Sequence, residues 1–184
     1  LAGRALVYNM HPLTAVELGV DFNLMACVQY GTLPSIFDHE DKDDYLASYI
    51  QAYLQQEVVQ EGISRNLSAF ARFLETASFS QGSVLNMSEV AREAAVGRRM
   101  AEDYFCALED LLVGVRIPVF TKRAKRKLVS HSKFYYFETG VYRAIRPTSP
   151  FDQPEMIGGV PLESLFMQNL RAINDYLKLK YNLY

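Results

Sequence analysis

The chain has 184 residues, which is enough for one ordinary domain or two small ones, and 49% of them are hydrophobic. No apolar run approaches the ~20 residues of a membrane span, and residues 1–10 lack the basic and then apolar order of a signal peptide, so we expect no membrane partner. The net charge of −2 points to no class of partner, but residues 92–146 hold twelve Lys and Arg against six Asp and Glu. This excess predicts one basic face, suited to nucleic acid or to an acidic neighbouring domain.

Cysteine and histidine usage argues against catalysis by this chain alone. Cys27 and Cys106 are the only cysteines, which predicts a reducing compartment, the cytoplasm, and two buried thiols without a disulfide. His11, His39 and His131 are scattered and lack the spacing of metal ligands. The sequence holds no G-x-x-x-x-G-K-[ST] loop to cradle ATP phosphates. We therefore expect no cofactor and no metal site in this chain.

The first third of the chain divides into two predicted segments. Residues 1–20 are predicted to be the last strand and turn of a domain whose body is missing. Residues 21–62 form a helical connector, in which a short helix over residues 22–30 is closed by a G-T-L-P turn. An acidic run then favours the N-terminus of the next helix, whose free N–H groups attract negative charge, and a metal site is the alternative. The run consists of Asp38, Glu40, Asp41, Asp43 and Asp44.

Apolar residues at three- and four-residue spacing predict two amphipathic helices. The stripe of the first is rich in tyrosine, which we interpret as core with hydroxyl groups reaching water rather than as an aromatic binding site. Its members are Tyr45, Leu46, Tyr49, Ile50, Tyr53, Leu54 and Val58. The second helix begins at Asn66, a preferred N-cap residue. Its predicted inward side chains are Leu67, Phe70, Phe73, Leu74 and Ala77.

Residues 63–146 have the element order of a winged-helix domain. Asn86 with Glu89 three residues later marks a helix start, and Val96-Gly97 ends that short helix, which carries Val90, Ala91 and Ala94. A third helix follows at once and ends at Gly114. Its predicted buried residues are Met100 or Ala101, Tyr104, Phe105, Leu108, Leu111 and Leu112. Strand-like runs over residues 115–121 and 133–137 then flank a basic segment, so we predict a helix-turn-helix followed by a hairpin with a basic tip.

Residues 147–184 are predicted to be a linker and one long helix. Four prolines and two adjacent glycines crowd residues 147–161, and a helix then covers residues 162–179. Its packing stripe is expected to contain Leu165, Phe166, Asn169, Leu170 and Ile173. The predicted fold class is therefore mainly α with a small β wing, an α+β arrangement of winged helix-turn-helix, helical connector and a final helix.

Several segments together resemble a large prokaryotic family of predicted ATPases, in which an AAA-type P-loop core precedes a C-terminal domain of unknown function. LAGR and HPLTAVELG resemble the tail of the ATPase core, and GTLPS stands where the family has a Gly-Gly-Leu-Pro element. YLASYIQAYLQQEV resembles its long helix. NLSAFARFLETAS, LNMSEVAREAAV, YFCALEDLL and KFYYFETGV follow in the family's order. The resemblance covers nearly the whole chain.

The chain departs from this family at several positions. The long helix carries Gln56-Glu57 where the family has an Arg-Asp pair. Gly97 and Met100 replace a serine and a threonine, and Glu138 replaces the aspartate before Thr-Gly. These departures bear on the roles of single residues more than on the fold.

The resemblance implies functional parts that lie outside this chain. ATP and Mg²⁺ would bind the missing ATPase core. Arg4 would contact nucleotide as part of that core or, alternatively, be a surface arginine at the end of a strand. The region after the winged helix resembles the first helix of a PD-(D/E)xK nuclease fold, and Glu163 matches its glutamate. A nuclease needs further carboxylates and a lysine to hold its metal and to position water, so Glu163 alone catalyses nothing.

The predicted winged helix is the region with a functional argument from the residues. Arg98 and Arg99 begin the third helix and are placed for phosphate contact, whereas Glu102 and Asp103 on its exposed face would repel phosphates. The basic tip comprises Lys122, Arg123, Lys125, Arg126 and Lys127. Two hypotheses follow: sequence-tolerant binding of double-stranded DNA, or a basic hairpin that is simply solvated or that forms a docking surface for the ATPase core or for oligomerisation.

Overall fold

The computed structural model describes residues 8–54, 66–120, 132–147 and 159–184. Eight α-helical segments and one antiparallel strand pair lie in these ranges, so the prediction of a mainly helical chain with a small sheet is confirmed. The helices are α1 Ala15–Leu18, α2 Leu24–Tyr30, α3 Lys42–Ser48, α4 Leu67–Ser78, α5 Met87–Glu93, α6 Arg98–Asp110, α7 Thr139–Ile145 and α8 Gly159–Tyr176. The strands are β1 Gly114–Ile117 and β2 Lys133–Tyr136. A 3-10 turn, Gly19–Asp21, follows α1, another, Pro34–Asp38, precedes α3, and α3 continues as a π-helical stretch, Tyr49–Leu54.

Side-chain caps explain where most of the helices begin. A polar side chain that accepts a backbone N–H satisfies one of the four donors left free at a helix start. The predicted caps Asn66 and Asn86 both act in this way, and Asp41 of the acidic run caps α3 by accepting the N–H of Asp44. The structural role predicted for the acidic run is therefore confirmed. The other capping side chains are Thr14, Asn23 and Glu138.

A continuous row of aromatic rings forms the centre of the core. Phe73 of α4 lies 5.1 Å from the ring of Tyr104 and 4.8 Å from that of Phe105, both on α6. Phe105 in turn packs edge-to-face at 4.9 Å on Phe134 of β2, which contacts Tyr136 at 5.0 Å. Such tilted pairs add to the hydrophobic stabilisation from burial. The row joins α4, α6 and the strand pair into one body.

The strand pair is covered on both faces. Its register pairs Arg116 with Phe134 and Val115 with Tyr135, so these two pairs point to opposite faces. Phe134 and Arg116 face α6, whereas Tyr135 faces α8, where its hydroxyl donates to Glu163 at 2.6 Å. Residues before α5 also meet β2, through bridges from Gln81 and Val84. The sheet therefore lies between α6 and α8.

The predicted end of α6 is wrong in detail. The helix stops at Asp110, and the residue in the left-handed region is Leu112, with φ 60°, rather than Gly114. The N–H of Val113 bonds to the Leu108 carbonyl at 2.8 Å, closing the turn. Gly114 instead starts β1, and a side chain there would meet the Phe134 ring and Leu108. Close packing, and not helix termination, requires glycine at this position.

Several side chains predicted to be buried are exposed. Leu67 on α4 and Leu112 after α6 face solvent, and Ala101 rather than Met100 takes the buried position in the first turn of α6. Cys106 is exposed on α6, contrary to the prediction of two buried thiols, because it lies on the same face of that helix as the exposed Glu102, Asp103 and Asp110. Cys27 is buried as predicted.

The inward face of α8 is displaced by about one residue from the predicted stripe. Leu165 is buried, but Phe166 is 62% exposed and Ile173 is 37% exposed. The buried positions are Pro161, Ser164, Leu165, Gln168 and Ala172. Two of these are polar, which is why an apolar pattern alone selects the wrong face.

The segment predicted to contain a strand and a turn has a helical turn in its described part. Residues 8–20 contain α1, whose Thr14 and Glu17 form a reciprocal capping box, and no strand. Residues 1–7, and Tyr53, Leu54 and Val58 of the predicted tyrosine-rich stripe, fall outside the residues whose side chains are described. Within the described ranges, every helix is too short or too polar to cross a bilayer.

We predict that Gly114→Ala destabilises the fold by about 1–3 kcal/mol, because the new methyl group would lie 2.9 Å from the Phe134 ring and 3.2 Å from the Leu108 side chain. Gly97→Ala is the matched control, since nothing lies within 4 Å of a methyl group there. Urea denaturation of the two variants measures the difference in the free energy of unfolding. Equal stabilities would show that the core beside Gly114 accommodates the extra carbon.

Candidate functional site

Arg98 and Arg99 open α6, and both side chains are exposed, as predicted. Arg98 donates from Nη1 to the Ser88 hydroxyl at 3.0 Å, which ties the start of α6 to the start of α5. Gly97 occupies the N-cap position and makes no side-chain hydrogen bond. The first turn of α6 thus presents two guanidinium groups beside the positive end of its helix dipole.

Acidic groups occupy the next turns of the same helix. Glu102 and Asp103 are exposed, as the sequence predicted. Arg116 of β1 donates from Nε to the Glu109 carboxylate at 3.0 Å and lies 3.9 Å from Glu102. The charge of Arg116 is therefore largely neutralised within the protein. Positive charge on this face is concentrated at the start of α6.

The basic residues between the strands and the predicted core arginine lie outside the described residues. These are Lys122, Arg123, Lys125, Arg126 and Lys127, together with Arg4. The described strands β1 and β2 pair in antiparallel register, and the basic segment lies between them in sequence.

Glu163 of α8 bridges to β2. Its Oε1 accepts hydrogen bonds from the Tyr135 hydroxyl at 2.6 Å and from Lys133 Nζ at 3.0 Å. The hydrogen bond from Tyr135 and, to a smaller extent, the contact with Lys133 lower the pKa of Glu163, and burial opposes them. Burial and the bond to Glu163 raise the pKa of Tyr135. Among the residues described, no group of three or more His, Cys, Asp and Glu side chains is arranged to hold a metal ion. In this arrangement Glu163 fastens α8 to the hairpin.

Glu138 is a buried carboxyl group that joins separate parts of the chain. It caps α7 by accepting the N–H of Val141 at 2.8 Å, and its other oxygen accepts the N–H of Thr32 at 2.7 Å. Gly31 has φ +77°, and a side chain there would overlap the Glu138 carboxylate. The Thr32 hydroxyl accepts a hydrogen bond from Gln168 of α8 at 2.6 Å. One carboxylate thus links the turn after α2, the start of α7 and, through Thr32, α8.

Burial raises the pKa of Glu138 to about 7, and hydrogen bonds from the backbone N–H groups of Val141, Thr32, Gly140 and Thr139 lower it in part. The sequence showed this residue only as the glutamate that replaces an aspartate before Thr-Gly. The sequence could have indicated its capping role, because an acidic residue directly before a helix often acts as the N-cap. The contact with Thr32, 106 residues away, has no local signal.

Two buried glutamines were also missed. Gln81 donates to the Ser164 hydroxyl at 2.8 Å and accepts the N–H of Tyr136 at 2.8 Å, so it joins the hairpin to α8. Gln168 donates to Thr32, and its side-chain oxygen has no hydrogen-bond partner among the described residues. Glutamine is usually exposed, so sequence alone gives no reason to bury either residue.

A family model described as a domain of unknown function (DUF8612) matches residues 22–152, more than half of the chain. The match runs from just before α2 to just after α7 and stops before α8. No curated protein and no solved structure matches the chain. The range contains Arg98, Arg99, Glu138 and the basic segment, so these residues lie within the family domain.

We predict that the stability of the chain falls as pH rises from about 4.5 towards 7. The pKa of Glu138 is higher in the folded state than its ordinary value, so over this range the folded state retains a proton that the unfolded state has released. The loss is on the order of 3 kcal/mol across the whole range. Thermal unfolding between pH 4.5 and 8 measures it.

The control for this prediction is Glu138→Gln, which does not titrate and should flatten that part of the pH dependence while lowering stability at every pH. In the unaltered chain, the ¹³C shift of the Glu138 carboxyl should titrate near pH 7. A carboxyl that is fully ionised at pH 5, or a Gln variant with the same pH slope, would contradict the prediction.

Proposed function

We propose that this chain, which belongs to the DUF8612 family, is the nucleic-acid-binding or regulatory region of a larger ATPase. The observation that carries the proposal is the exposed start of α6, where Arg98 and Arg99 stand together while Arg116 is neutralised by Glu109. The link to an ATPase core, with ATP and Mg²⁺ bound there, rests on the sequence resemblance.

The arrangement of α4 to β2 supports a winged helix-turn-helix. The turn between α5 and α6 is short, and Ala95 in it has φ 53°, which turns the chain sharply. The strand pair follows α6 directly, and the bridges from Gln81 and Val84 to β2 give a third short strand position, between α4 and α5. In winged-helix proteins the third helix enters the major groove and the hairpin tip reaches the backbone.

Binding would depend mainly on phosphate contacts. Arg98 and Arg99 would donate to phosphate oxygens at the start of α6, and the basic hairpin segment would neutralise further phosphates. Both contributions are independent of base sequence and weaken as salt rises. The proposed ligand is double-stranded DNA, bound with little sequence preference.

The acidic side chains of α6 limit how this helix could enter a groove. Glu102 and Asp103 follow one turn after the arginines and are exposed. A carboxylate facing phosphates is repelled, and desolvating it is costly. Contact through the N-terminal turn of α6 is therefore favoured over reading of base edges along its length.

A second candidate function is a protein-interaction or oligomerisation module without DNA binding. The outer face of α8 favours it, because Leu162, Phe166 and Ile173 are all exposed there. Exposed apolar side chains in a row on one helix are typical of contact surfaces. A nuclease fragment is the further alternative, and for it Glu163 would need additional carboxylates that the described residues do not bring to it.

We predict that the chain binds a 20-bp duplex with an affinity that falls steeply with salt. Replacing Arg98 and Arg99 by serine should reduce the slope of log K against log salt by about 2, one for each lost phosphate contact. Replacing Lys122, Arg123, Lys125, Arg126 and Lys127 by serine should abolish binding. Fluorescence anisotropy across a salt series measures both effects.

Lys42→Ser is the control, since Lys42 lies on α3, which packs against α2 and α7, and its ammonium group lies 5.9 Å from the Tyr30 ring. It should bind DNA as the unaltered chain does. Absence of binding at low salt would refute the DNA proposal and leave the interaction module as the better account. In that case sedimentation over a concentration series should reveal self-association.

A further inference from the structure

A cavity of about 460 Å³ opens between the end of β1 and the C-terminal part of α8. Ile117 and Pro118 form one side, and α8 together with residues 181–184 forms the rest. It lies on the side of the hairpin away from α6, and the family match ends before α8. Nothing in the proposed DNA contact uses this cavity.

Arg171 is the cationic group of the cavity wall. Its side chain is partly buried, and burial lowers the pKa of its guanidinium while the charge of Asp175 opposes that shift. With the residues that the structure describes, the guanidinium makes no hydrogen bond and no ion pair. A partly buried guanidinium with hydrogen-bond donors directed at a cavity is suited to an oxyanion, which can accept two parallel N–H bonds from it.

Asp175 lies on the same wall and is held in place by residues 9 and 11, near the start of the described chain. Its Oδ2 accepts from His11 Nε2 at 2.7 Å and from Asn9 Nδ2 at 3.1 Å. Burial opposes these two bonds, yet they keep the pKa of Asp175 below its ordinary value, so it is ionised at neutral pH. A bare anion would be repelled by this carboxylate. A ligand that carries hydrogen-bond donors as well as an anionic group fits both charges.

Aromatic side chains complete the cavity. Tyr181 and Tyr184 are 67% and 60% exposed, and the Tyr184 ring contacts Phe120 at 5.2 Å. Asn174 fixes the segment by donating to the Tyr181 carbonyl at 3.0 Å and accepting its N–H at 2.9 Å. Exposed aromatic rings beside an arginine are the features on which nucleobases stack.

We propose that this cavity binds a nucleoside phosphate, with the phosphate on Arg171 and the base against the exposed tyrosine rings. Sugar hydroxyl and base amino groups would donate to Asp175, which a free phosphate cannot do. The same chemistry is offered by a free nucleotide and by one nucleotide of a single strand. Neither Arg98 nor Arg99 lines the cavity, so the failure of AMP binding and the failure of duplex binding are distinguishable.

The test is a titration of the full ¹⁵N-labelled chain followed by NMR, with AMP, adenosine, inorganic phosphate and a dA12 oligonucleotide as probes. We expect AMP or dA12 to shift the signals of Arg171, Tyr181 and Tyr184, with adenosine and phosphate at least tenfold weaker. Saturation by AMP identifies a free nucleotide as the ligand. Saturation by dA12 alone identifies a nucleotide within a strand.

Arg171→Met should weaken binding of the effective probe at least tenfold, whereas Arg72→Met should leave it unchanged. Arg171→Lys keeps the charge and serves if the methionine variant is unstable, and it should bind more weakly than arginine because its ammonium cannot form two parallel bonds. The Arg98 and Arg99 double variant should bind AMP normally. Failure of both AMP and dA12 to shift cavity signals, or phosphate binding as tight as AMP, would overturn the proposal.

Discussion

Glu138 provides the contact on which the arrangement of the other elements depends. The turn after α2 donates the Thr32 N–H to it, and the first turn of α7 donates the N–H of Val141. The carboxylate fits because Gly31 has no side chain. The hydroxyl of Thr32 in turn accepts a hydrogen bond from Gln168 of α8, which connects that helix to the same site. A buried carboxyl group without these donors would be strongly destabilising, so the three segments must assemble together.

This assembly separates two surfaces. The aromatic row from Phe73 to Phe134 holds one face of the hairpin against α4 and α6, while Glu163 and Gln81 hold its other face against α8. As a result the arginines that open α6 and the cavity beside Arg171 lie on different sides of the sheet. The ion pair between Glu109 and Arg116 neutralises the charge of Arg116. The exposed arginines at the start of α6 therefore carry most of the positive charge on that face among the described residues.

Local sequence patterns predicted where helices begin, but they misplaced the buried face of α8 and the end of α6. Asn66 and Asn86 cap the helices that they were expected to cap, and Asp41 of the acidic run caps α3, because an N-cap acts within three residues of itself. The face of α8 was misplaced because Gln168 and Ser164 are buried through hydrogen bonds to residues far away in sequence. Gly114 was taken as a helix end, although it is the nearby ring of Phe134 that requires a glycine there.

Local sequence patterns were sufficient to predict the helical class, the order of elements from α4 to β2, the exposed arginines at the start of α6 and the acidic groups that follow them. These depend on periodicity and on caps, which act over one or two turns. Local patterns gave no sign that Glu138 is buried, that Arg116 is neutralised or that Arg171 lines a cavity with Asp175 and the tyrosines. Each of these facts depends on residues brought together from distant parts of the chain, where burial and charge are set by the neighbours that folding supplies.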